Sequence, residues 1–154
     1  MINMVELSEK AVETAKNWDL QLDYSAGSIA SLEQIAQSIY QTNQSQHLPD
    51  HVLWNIAATY GAYLGETLLK NGLGELGLSW AENEEGMPVL WKDKGNWMSP
   101  VSKVYKRITN GPEDKLEGFY STCFAFADGT IDRILEDEAI VQHMLTGKQN
   151  EDEL

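Results

Sequence analysis

A tyrosine and a glutamate three residues apart, Tyr63 and Glu66, form the pair in this chain that could move a proton. They sit in a run rich in glycine and alanine, where a carboxylate can be partly withdrawn from water. Burial raises a carboxyl pKa and suits the group to general acid or base work. The same burial suits a carboxylate that pairs with Lys or Arg or caps a backbone, and that structural role is the commoner one. His47 and His51 stand four apart, but Pro49 lies between them and starts a helix that excludes His47. His143 stands far away, and no glutamate completes a zinc motif, so no metal site is expected. Asp128-Gly129-Thr130-Ile131-Asp132 lacks the spacing of a calcium loop and reads as a helix break. Cys123 is the only cysteine and falls on an apolar stripe with no basic neighbour, the setting of an inert thiol. Gly72, Gly74 and Gly77 match Gly-x-Gly-x-x-Gly literally, yet they follow a helix and lead into a strand. A dinucleotide loop needs the reverse order, so no cofactor is expected. The acids Glu136, Asp137 and Glu138 read as a solvated helix surface. No catalytic set emerges from these residues.

The elements that position these groups are mostly helical. Val5, Val12, Ala15 and Trp18 keep helical spacing over residues 4–18. A second helix over 28–42 carries Ile29, Leu32, Ile35, Ala36, Ile39 and Tyr40 on one stripe, and residues 43–47 form a polar loop. A third runs from Pro49 to Asn71 and stops at Gly72. It carries Ala57, Ala58, Gly61, Ala62 and Gly65, and small residues let a neighbouring backbone come close, which makes this the central buried helix. Residues 76–81 and 87–91 then flank an acidic turn, Glu82-Asn83-Glu84-Glu85-Gly86, as a β-hairpin, and 92–96 make another turn. Ser99-Pro100 starts a helix with Val101, Val104, Tyr105 and Ile108 at the expected spacing. Leu116, Phe119, Tyr120, Cys123 and Phe124 mark the next helix, and Ile131, Ile134, Leu135, Val141 and Leu145 a last one. Five to six helices with one hairpin or small antiparallel sheet is an α+β fold. Residues 1–146 are expected to form a single domain, and 147–154 a flexible acidic tail.

Charge is the strongest compositional signal. Asp and Glu total 24 against 11 Lys and Arg, for a formal net charge of −13 over 154 residues. Nucleic acid backbones and anionic membranes are recognised by basic patches, so neither is an expected partner. A basic protein is, because opposite charge speeds and orients encounter. The N-terminus lacks a basic and then apolar leader, and no stretch approaches the roughly 20 apolar residues of a spanning helix, so a cytoplasmic location is expected. There are five tryptophans. Three of them surround the hairpin, and aromatic surface beside an acidic turn is the composition of a protein-binding face. Trp80, Glu82, Glu84, Glu85, Trp91, Asp93 and Trp97 are therefore the candidate partner-binding residues.

Several runs resemble a family of small bacterial proteins of unknown function. They are Leu22-Asp23-Tyr24-Ser25, Tyr60-Gly61-Ala62-Tyr63-Leu64-Gly65-Glu66, the strand around Trp80, and the stretch from Pro100 and Val101 through Lys103 to Asn110 and Gly111. The likeness spans roughly residues 22–125 and implies no activity. In size, charge and lack of catalytic motifs the chain is also similar to immunity proteins of bacterial toxin systems, which do not share one fold. That analogy implies an acidic protein that blocks the active site of a basic toxin nuclease. A small enzyme with a carboxylate site near Glu66, and a housekeeping adaptor, are the alternatives.

Overall fold

The computed structural model describes residues 2–127. The last helix expected from Ile131, the loop at Asp128, His143, the acids at 136–138 and the 147–154 tail lie outside the described residues. Within them the protein is α+β and mostly helical, with five α-helices and one three-stranded antiparallel sheet. The helices are α1 (Met4–Ala15), α2 (Ser28–Gln46), α3 (Asp50–Leu68), α4 (Pro100–Asn110) and α5 (Leu116–Ala127). The strands are β1 (Ser79–Glu82), β2 (Pro88–Asp93) and β3 (Asn96–Met98), in the order β1-β2-β3. No helix among the described residues is long and apolar enough to cross a membrane.

α3 is the centre of the molecule, as its small residues predict. Every residue from Thr59 to Leu68 is buried. α1 and α4 pack on α3, α2 packs on α4 and α5, and the sheet sits against α4 and α5. Gly61 allows a close approach of main chain to main chain: a Cβ there would stand 2.6 Å from the Val101 Cα of α4. Ser99 caps α4 by accepting from the Ser102 N–H, and Pro100 occupies the first turn, where its missing N–H leaves no gap.

The structure corrects the sequence reading in four places. The buried face of α1 is Met4, Ser8, Ala11 and Ala15, while Val5 and Trp18 are 47% and 38% exposed. Small residues let α1 lie close on α3, and the one hydroxyl in that row is satisfied: the Ser8 Oγ donates to the Val5 carbonyl and shares a hydrogen bond with the Tyr24 hydroxyl. α2 runs four residues past Thr42 into the stretch read as loop. There the Asn43 carbonyl accepts from the His47 N–H, and the Asn43 Oδ1 accepts from the Leu48 N–H, so the polar turn is held by its own hydrogen bonds. α3 ends at Leu68 and widens into a π-helical turn, Leu69–Leu73, that contains Gly72 at φ 139°. Finally, residues 96–98, read as the end of a turn and its flank, form a third strand.

Arg107 lies on the buried face of α4 at 3% exposure. Its Nε donates to the Glu33 Oε2 of α2 at 2.9 Å, and its Nη2 donates to the Gln37 Oε1 at 2.7 Å. The other Glu33 oxygen, Oε1, accepts from the Leu116 N–H. One carboxylate thus joins α2, α4 and the first turn of α5, where a helix has unpaired N–H groups to offer.

Candidate functional site

A pleated strand sends alternate side chains to opposite faces. The register here pairs Trp80 with Leu90 and Leu90 with Met98, and this row turns toward the helices. The neighbouring rows pair Ala81 with Val89 and Trp91 with both Ser79 and Trp97, and these turn outward. Trp91 and Trp97 are 39% and 46% exposed, while Val89 of the same strand face is only 1% exposed. Together Ala81, Glu82, Asn83, Glu84, Glu85, Val89, Trp91, Lys94 and Trp97 line an open groove of about 590 Å³.

The loop on its rim is fixed by one side chain. The Asn83 Oδ1 accepts from the Glu85 and Met87 N–H groups, both at 2.9 Å. The Asn83 backbone also bonds Met87 and Gly86. Glu84 and Glu85 are therefore presented by a closed, hydrogen-bonded turn. Neither forms an ion pair with another described residue. Three carboxylates and one ammonium, that of Lys94, line an aromatic floor.

Five of the seven expected residues meet here: Glu82, Glu84, Glu85, Trp91 and Trp97. Trp80 and Asp93 do not. Trp80 is turned to the other face, where its six-membered ring lies over Gly65; a Cβ at Gly65 would come within 2.3 Å of that ring. Asp93 belongs to the β2–β3 turn, where its Oδ1 accepts from the Gly95 N–H at 3.0 Å. Ala81, Asn83, Val89 and Lys94 were missed. Ala81 and Val89 carry a signal, since both share the outward alternation of Trp91, and Asn83 carries one as a turn former.

The Tyr63–Glu66 pair does not converge on a shared cleft. Tyr63 is fully buried; its hydroxyl accepts from the Tyr24 N–H at 2.8 Å and shares a 2.6 Å hydrogen bond with the Ser28 Oγ. Burial raises its pKa above the usual phenol value, with these hydrogen bonds opposing. Glu66, 7% exposed, faces the sheet: its Oε2 accepts from the Trp80 indole N–H at 2.9 Å, and its Oε1 lies 3.9 Å from the Lys70 Nζ. Glu66 thus clamps β1 to α3. Glu66→Ala leaves the indole N–H without its acceptor and is expected to cost about 1–3 kcal/mol. Glu66→Gln keeps a carbonyl oxygen there and should cost less. Urea unfolding measures both, and equal stability of all three proteins would remove the clamp.

The other reactive groups are likewise dispersed. Burial pushes the Cys123 thiol up to about 12. His47 ends α2 and His51 lies in the first turn of α3. Among the described residues no three His, Cys, Asp or Glu gather as metal ligands. A second groove of about 480 Å³ opens where α1, α2 and α3 meet, floored by Ile39, Ile56 and Tyr60, and Lys10 is its one charged side chain. No protein-family model, curated protein or solved structure matches the chain.

Proposed function

We propose that this chain is a non-catalytic binding protein that takes a basic protein partner on the outer face of its sheet. The observation that carries this reading is the cross-strand pair Trp91–Trp97, exposed at the floor of a groove rimmed by Glu82, Glu84 and Glu85. Large aromatics supply binding energy where they are desolvated, and surrounding charges supply steering and specificity. The net charge of −13 favours the same class of partner. An immunity protein that covers the cationic active site of a toxin nuclease fits these properties, and its place of action is the cytosol. Such a mouth is basic because it must attract phosphate, and an acidic face competes for it.

The test is capture of the basic protein encoded beside this gene, with the wild type and with the Trp91→Ala/Trp97→Ala double variant. Both side chains are exposed, so the fold should survive. Hot-spot truncation costs about 2 kcal/mol or more, so the pair should weaken binding at least about 30-fold. Wild-type binding should also fall steeply with salt. Undiminished capture by the double variant, or no basic partner at low salt, would overturn the reading.

A further inference from the structure

The groove has more chemical definition than a generally acidic surface, and that definition selects one kind of side chain. We infer that it takes an arginine of the partner, its guanidinium lying on the Trp91 and Trp97 rings with its N–H groups directed at Glu84 and Glu85. This rests on the reading of the sheet face as the partner surface and adds the identity of the residue recognised.

The floor comes first. Two exposed indoles and the buried Val89 form an apolar base with π-faces. A cation over an indole is attracted by the ring quadrupole, and among protein cations the planar, weakly hydrated guanidinium also stacks. A lysine ammonium holds its water more tightly and gains less from such a floor.

The rim makes the same choice. The carboxylates of Glu84 and Glu85 alone outnumber the single ammonium of Lys94, so an anion is repelled. A purely apolar segment would strip water from those acids without replacing it. A guanidinium gives five donors in a fixed fork that matches carboxylates two at a time. The Asn83 turn holds Glu85 and its neighbour in place before the partner arrives, so little ordering remains for binding to do. Lys94 stands on the same rim and competes with an incoming cation.

The experiment titrates the full chain at low salt with three blocked tripeptides, Gly-Arg-Gly, Gly-Lys-Gly and Gly-citrulline-Gly. Binding is followed through the tryptophan indole N–H resonances. The arginine peptide should shift Trp91 and Trp97 and leave the Trp80 resonance, held by Glu66, in place. The lysine peptide should bind about 3- to 5-fold more weakly, and neutral citrulline more weakly still. Glu84→Gln/Glu85→Gln should weaken the arginine peptide about 10-fold, and Lys94→Gln should tighten it about 2-fold. Equal binding of the arginine and lysine peptides overturns the arginine assignment, as does shift of Trp80 in place of Trp91 and Trp97. If that happens while Trp91→Ala/Trp97→Ala still loses the basic protein, the proposed function stands and only this inference falls. If neither the peptides nor the basic protein responds to the tryptophans, both fall.

Discussion

Arg107→Ala is expected to lower the unfolding free energy by about 3–5 kcal/mol, the scale for breaking a buried ion pair from one side. The reason is what stays behind. Glu33, with its side chain only 13% exposed, would lose the Nε donor at 2.9 Å and keep its charge. Gln37 would lose its 2.7 Å partner too. The Leu116 N–H would still face Glu33, but one backbone donor does not replace a guanidinium. Arg107→Lys should recover only part of the loss, because an ammonium cannot reach both acceptors in the geometry of the fork. The double variant Glu33→Met/Arg107→Met should be more stable than Arg107→Ala, since no charge is left buried. The Arg107 Nη1 has no hydrogen-bond partner among the described residues. Urea unfolding of the wild type and the three variants checks the set, and a loss below about 1 kcal/mol for Arg107→Ala would show that the lock is not holding α2, α4 and α5 together.

Gly61→Ala should destabilise the protein by about 3 kcal/mol, at the upper end for overpacking. A new methyl would meet the Val101 Cα at 2.6 Å, its Cγ2 at 2.9 Å and its backbone N at 3.0 Å. Two of these are main-chain atoms, so no rotamer change relieves the clash and α4 must move as a body. That movement also disturbs Arg107, which sits on the same helix. Gly118→Ala is the matched control. It lies exposed in α5 with nothing within 4 Å of an added Cβ, so the helix should gain about 0.5 kcal/mol. Thermal unfolding of both variants reads the difference directly. A Gly61→Ala protein as stable as the wild type would mean that α3 and α4 are not held at this distance.

That α3 is central and closely approached was legible in the sequence because the cause is local: glycine and alanine at helical spacing announce a near neighbour, though not that the neighbour is α4. The Ser99-Pro100 start of α4 and the acidic turn at Glu82 to Gly86 were legible for the same reason. The Arg107–Glu33 lock was not, because its partners stand 74 residues apart and each looks like an ordinary surface charge. The true face of α1 was hidden because its buried row contains Ser8 and two alanines, while the larger apolar residues Val5 and Trp18 point away. β3, three residues long, is too short to show an alternation. Trp80 was grouped with Trp91 because strand register, which alone tells the two faces apart, follows from how the turn closes.

The split between the two faces of the sheet separates two sets of physical constraints. Trp80, Leu90 and Met98 answer to the interior, and Trp91, Trp97 and Ala81 answer to whatever is met outside. Substitution at Trp91 or Trp97 should leave the melting temperature almost unchanged, while substitution at Leu90, Met98 or the 1% exposed Val89 should lower it. The outer surface of the sheet can therefore be redesigned without rebuilding the core beneath it.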